Sequence, residues 1–209
     1  MEKTPQSKGM KHVPQILTLC LLLTSSLGQG QGVLVLDQYS WLDETPFPGT
    51  GSVMQNADPL GQSFTPTLSS VDFVRFKFAD ADSLQANGAT VHVDLLSGSI
   101  TGTLLGSTAP VFMPDGFAGV ATFLFPASQP LTPGTTYYFS VILHAGSDAW
   151  AIDSGGYNYP GGMSYWQGAA VGGDLWFQEG IVVPEPSLVT LFLLGGAGLA
   201  AARSRHRRQ

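Results

Sequence analysis

His144, Asp148 and Ser154 lie within eleven residues of one another. On paper they supply the base, the orienting carboxylate and the hydroxyl of a serine hydrolase. No nucleophile-elbow motif surrounds Ser154, and loop Ser and Asp are ordinary turn formers, so composition alone joins the three. Hydrolysis of sugars needs two carboxylates flanking one bond. Between the two ends of the chain the only glutamates are Glu44 and Glu179, and most aspartates sit in Gly-rich turns. A secreted hydrolase would have to bring two such acids together in a cleft, one of them with a displaced pKa. Asp80-Ala81-Asp82, followed by Asn87, offers hard oxygen ligands at alternate positions, half of a Ca²⁺ loop without the Gly and the bidentate Glu of an EF-hand. The plainer reading is a polar loop, and no other cofactor is expected. Finally, Trp150, Tyr157, Tyr159, Tyr165, Trp166 and Trp176 crowd the most Gly-rich third of the chain. Flat rings can stack on sugar faces while Asp153, Asn158 or Gln167 bonds the hydroxyls. Tyr157, Tyr159, Tyr165 and Trp166 are the candidate sugar contacts, with Tyr165-Trp166-Gln167-Gly168 read as a loop. The competing reading makes Trp150 and Trp176 strand core and lets the tyrosines pin the glycine loops.

The elements that must position these residues read as strands throughout. Short runs rich in Val, Phe, Tyr and Thr alternate with Gly, Pro, Asn and Asp. Nine strands are expected: 33–38, 62–65, 71–78, 90–96, 104–107, 119–125, 135–144, 150–153 and 175–178. Between the termini no segment shows the 3.6-residue apolar period of a helix. Tyr137, Phe139, Val141 and Leu143 share one face and Tyr138, Ile142 and His144 the other, which suits a central strand. The apolar phase flips between Val71/Phe73 and Val74/Phe76/Phe78, predicting a bulge near Phe73. Met113-Pro114-Asp115-Gly116 suits a type I turn, Asn87-Gly88 a hairpin, and Thr132-Pro133-Gly134-Thr135 a type II turn. His92 alternates with Val91 and Val93 and is expected to face solvent. One domain over 33–180 is long enough for a substantial core, burying about 68–70% of the unfolded surface. The expected fold is an all-β sandwich, a jelly roll.

Both ends differ in kind from this body. Lys3, Lys8 and Lys11 precede the apolar Ile16–Leu23, and small residues follow. That is the order of an export signal spanning 1–28, with cleavage after Gly28, Gly30 or Gly32. Cys20 lies inside the apolar run behind Leu19, which does not suit a lipoprotein cleavage site. The mature chain would hold no thiol and must be held together by its core. At the other end Ser187–Ala202 is a run of 16 uncharged residues, a helix of about 24 Å against a hydrocarbon core of about 30 Å. Arg203, Arg205, Arg207 and Arg208 follow; they can snorkel to the headgroups and hold the C-terminus on the cytoplasmic side. Residues 33–183 carry 13 acids against Arg75 and Lys77 alone, a balance of −11. Such a body repels phosphate backbones, which argues against nucleic-acid binding.

The order Val183-Pro184-Glu185-Pro186, apolar run, arginines closely resembles the PEP-CTERM sorting signal of exported bacterial proteins. It covers residues 184–209, with the family's usual Val-Pro-Glu-Pro start complete. The resemblance implies recognition by an exosortase, an integral-membrane cysteine transpeptidase that cuts near the triplet. The body would be inner-membrane anchored first and then passed to the cell surface or extracellular matrix, in a setting of exopolysaccharide production. More weakly, Gly61-Gln62-Ser63-Phe64, Leu131–Phe139, Trp150 and Tyr159-Pro160-Gly161-Gly162 look like exported jelly-roll domains related in shape to carbohydrate-binding modules. The expectation is a non-enzymatic surface or matrix protein. The alternatives are an exopolysaccharide-binding module or, further off, a secreted glycoside-active enzyme.

Overall fold

In a computed structural model, the described residues are 32–45, 51–82, 87–145 and 149–185. The expected export signal at 1–28, Pro186, the apolar run 187–202 and the four arginines lie outside them. Val33–Val183 form one compact unit built of strands: β1 (Val33–Tyr39), β2 (Ser52–Val53), β3 (Gly61–Phe64), β4 (Ser70–Asp80), β5 (Ala89–Ser97), β6 (Thr103–Ser107), β7 (Val111–Met113), β8 (Ala118–Pro130), β9 (Tyr137–Ala145), β10 (Trp150–Ile152), β11 (Ser164–Trp166), β12 (Ala169–Ala170) and β13 (Phe177–Val183). Among the described residues a 3₁₀ turn, Met54–Asn56, interrupts them.

Two antiparallel sheets face each other as a β-sandwich. In the first, β4 pairs with β8 along one edge. On its other edge lie β13, opposite Phe73–Phe76, and β10, opposite Phe78–Asp80; β1 then adds to β13 and β2 to β10. The second runs β12-β11-β3-β9-β5, with β6 and β7 sharing the far edge of β5. The alternating phases decide what is inside. Val74, Phe76 and Phe78 of β4, Val91, Val93 and Leu95 of β5, and Phe139 and Val141 of β9 meet in one buried cluster. Phe64 stacks on Phe139 with ring centroids 4.2 Å apart, and Phe76 meets Phe139 edge-on. Aromatic pairs in these geometries add roughly 0.5–1.5 kcal/mol beyond their burial.

The expected bulge in β4 is present as a register shift between Val71 and Phe73. Asp72, at the shift, caps the amide of Val182 at 2.8 Å. The Thr132–Thr135 turn closes with a 3.1 Å bond and has Gly134 at φ 79°, the positive value that type II requires at this position. Near Met113 the closing bond runs from the Phe117 amide to Pro114 O, one residue later than the sequence suggests. The Asn87-Gly88 hairpin is not formed. The strands on either side, β4 and β5, belong to different sheets, so the chain crosses over instead of folding back.

Candidate functional site

The candidate aromatics separate into three environments. Tyr165 and Trp166 lie on β11, which pairs with β12 in a hairpin whose two loop residues are Gln167 (φ 51°) and Gly168 (φ 76°). Two positive φ values define the I′ geometry that matches strand twist. This segment is therefore strand and tight turn, not the loop its glycines suggest. Its tip is pinned: the Gln167 amide donates to Ala57 O at 2.8 Å, Gln167 Nε2 to Asn56 O at 2.9 Å, and the Gly168 amide to Pro59 O at 2.9 Å. Tyr165 meets Tyr138 edge-on at 5.6 Å, while Trp166 is half-buried against the core. Together with Leu60, Ser154, Ser164 and Leu175 they line a shallow depression of about 260 Å³. This is the one place where two of the four candidates converge on a surface that could take a ligand.

Tyr157 belongs elsewhere. Its hydroxyl donates to Asp153 Oδ2 at 2.8 Å, and its ring lies 6.2 Å from that of Trp41, tilted by 39°. Burial, then the bond to Asp153, push the phenol well above its ordinary range. Trp41 is 55% exposed and carries no signal in the sequence beyond being aromatic. Beneath it, residues 40–45 run across the outer face of the first sheet. Lys77 Nζ and Trp176 Nε1 both donate to Asp43 O at 2.9 Å, Lys77 stands 4.9 Å over the Trp176 ring, and Arg75 pairs with Glu44 at 2.6 Å. Trp176 is fully buried there, and Trp150 in the core proper.

Tyr159 is a core side chain, 7% exposed. Its ring meets Phe177 edge-on at 5.2 Å, and its hydroxyl donates to Gln38 Oε1 at 2.9 Å. Around it lie three acids, Asp174 and Glu179 buried and Asp37 partly exposed. Asp174 accepts from Gln62 Nε2 and from the Tyr159 amide, each at 2.7 Å. Burial raises its pKa despite these bonds. Asp37, at the register shift of β1, accepts from the Thr67 amide, the Leu68 amide and the Thr67 hydroxyl. Burial works to raise Asp37, but those bonds outweigh it and hold the group below the usual range. Glu179 is completely enclosed, and burial followed by the negative charge of Asp37 pushes it up to about 9. A displaced carboxyl beside a second acid is what acid–base catalysis on sugars asks for. Here, however, Glu179 shares the inward phase of Phe177 on β13 and has no exposed surface, so substrate has no approach. The pair is built into the wall of the fold.

The remaining candidates are accounted for by local structure. Asp80 Oδ1 accepts the Asp82 amide and Oδ2 the Gly116 amide, both at 2.9 Å, so this carboxylate caps turns. Among the described residues no group of three or more His, Cys, Asp or Glu could hold a metal. His144 lies on β9 and stacks on His92 at 4.3 Å, and His92 Nε2 stands 3.1 Å from Asp94 Oδ1. His92 is thus mostly covered, where the sequence placed it in solvent. Asp148 lies outside the described residues, and Ser154 belongs to the depression beside Trp166. Of the expected sorting motif, Val183 is the last residue of β13 and pairs with Val33, the first of β1; Pro184 and Glu185 follow it. Compared with known proteins, the chain matches no family model, and no curated protein pairs with it. Among the described residues no helix is long and apolar enough to cross a membrane.

Proposed function

We propose that this chain is an exported, non-enzymatic surface or matrix protein, sorted through Val183-Pro184-Glu185-Pro186 by an exosortase and held in the inner membrane by 187–202 until processed. The observation that carries the reading is the register of the terminal strands. Val33 faces Val183, so the compact body begins beyond every expected export-signal cleavage site and finishes at the first residue of the expected sorting motif. Cleavage at either end would leave every strand intact. The finer fold reading, a jelly roll, is supported by strand order: β1-β13-β4-β8 opposite β3-β9-β5-β6, with the chain changing sheets at most connections, as two Greek keys require. The test is processing in a host that carries the matching exosortase. The mature protein should end near the Pro-Glu-Pro triplet, and Glu185→Ala should leave a longer, membrane-bound form. Intact-mass measurement showing Arg208 in the surface fraction defeats the proposal.

A second reading, binding of exopolysaccharide by the body, is favoured by the depression beside Trp166. Trp166, Tyr165 and Ser154 beside the apolar Leu60, Val171 and Leu175 have the composition of a sugar subsite. Trp166→Ala should then abolish retention of the protein on the host's own polysaccharide. Equal retention of wild type and variant removes this reading and leaves the first standing.

A further inference from the structure

The first half of β1 is apolar and open on both faces: Val33, Leu34, Val35 and Leu36 are 54, 38, 39 and 37% exposed. Ile181, Val182 and Val183 stand opposite them, and this two-stranded tip contains no charged or hydroxyl side chain. Among the described residues the outer edge of β1 has no pairing partner. Edge strands are normally guarded by charge, proline or a bulge. In β1 the carboxylate and the bulge both come later, at Asp37, where Thr67 and Leu68 occupy the carboxylate.

Only Pro184-Glu185-Pro186 separate Val183 from the uncharged run that opens at Ser187, at most about 14 Å of extended chain. We propose that the apolar tip of the β1–β13 ribbon rests on the lipid surface while the protein is anchored, an inference that depends on reading Ser187–Ala202 as the membrane anchor. A link this short keeps the tip at the level of the headgroups whenever the run is inserted. Contact at that depth also leaves the free backbone edge of β1 hydrated, as it must be, because unpaired strand edges do not enter hydrocarbon. Lipid is favoured over a second copy of β1. An isologous edge pair is antiparallel, whereas two copies anchored in one bilayer carry their β1 strands out in the same sense. The acidic balance of the body further favours a zwitterionic over an anionic surface.

The test uses the full chain, purified from membranes of an exporting bacterium as Cys20→Ser with a single new thiol at Val35→Cys. A polarity-sensitive fluorophore is attached there and the protein reconstituted into phosphatidylcholine vesicles containing headgroup nitroxide lipid. Leu104→Cys on β6, also 54% exposed, is the reference; Val33→Cys replaces the first variant should that fail to fold. The expected result is several-fold stronger quenching at position 35 than at 104, in a chain that resists carbonate extraction. A carbonate-resistant chain whose position-35 probe is unquenched and water-exposed overturns this inference alone. A probe shielded from water yet unquenched by lipid nitroxide assigns the tip to a second copy and also overturns it. Release of the chain by carbonate overturns the anchor reading and this inference together.

Discussion

At Glu179 a carboxyl occupies a position that strand alternation would give to a leucine, and the consequence is a measurable pH dependence. Its folded pKa of about 9 lies above the ordinary value of 4.5. Between those values the folded state binds the extra proton. The stability contributed by this group is full below pH about 4.5 and is lost as pH rises through about 9. Asp174, also raised by burial, acts in the same direction, whereas Asp37 is depressed and its contribution disappears only on strong acidification. Thermal melts should therefore show Tm falling from pH 5 to pH 9, with Glu179→Gln flattening the slope; an unchanged slope in that variant would remove the assignment. Trp166 is a different case. Half-buried against the core, it should cost about 2 kcal/mol as Trp166→Ala, below the ~3–5 kcal/mol of a fully enclosed tryptophan. Denaturant titration beside the polysaccharide assay separates lost folding from lost binding. Residue types alone did not distinguish these roles. Tyr159 and Tyr157 are two apart in the same glycine-rich stretch, yet one is core and the other packs on a surface tryptophan. The difference is made by their surroundings: Gln38, 121 residues away on β1, holds the hydroxyl of Tyr159, while Asp153 holds that of Tyr157, four residues further on.

Among the elements, the long strands were legible and most of the shortest were not; the three-residue β10, expected at 150–153, is the exception. β4, β5 and β9 carry enough β-branched and aromatic residues to declare themselves, and the phase flip at Phe73 reveals the bulge because a displaced register must move side chains to the other face. β2, β7, β11 and β12 have two or three residues each, and their extended form depends on a neighbour supplied from far along the chain. The Gln167-Gly168 pair was the available signal for the β11–β12 hairpin, and the surrounding glycines masked it. Sheet membership was the deeper difficulty: Asn87-Gly88 has the chemistry of a hairpin, but nothing local shows that β4 and β5 belong to opposite layers. The pairing of β1 with β13 rests on one glycine. A Cβ on Gly180 would stand 2.0 Å from Val35 O, a contact no rotamer relieves because the obstacle is backbone. Gly180→Ala should therefore push β1 away. Hydrogen exchange should show Val33–Tyr39 amides losing protection while those of β5 and β9 keep theirs, with a stability loss of about 2 kcal/mol or more. Full protection of β1 in the variant would show that the pair can shift without separating.

For the molecule as a whole, charge and the proposed processing meet at the two ends. The body carries −11 from 13 acids and two cations, and both cations are engaged, Arg75 with Glu44 and Lys77 between Asp43 O and Asp153. Composition made that acidity plain, along with the all-β character and the sandwich. It did not show that the body's two ends would be neighbours, because that follows from a register established only after eleven intervening strands have been placed. In the processing experiment Glu185→Ala should leave Tm unchanged, since Glu185 lies beyond the last strand; any difference between the two forms must then come from the membrane. The Val33–Val183 pairing also has a mechanical consequence. Tension applied between the two ends would load the terminal bonds of the β1–β13 ladder one after another, as a zipper opens, and not all at once in shear. Held by both ends and pulled apart, the body would yield at its weakest geometry. Held by one end, as a protein retained by a single C-terminal tether would be, it would not feel that load.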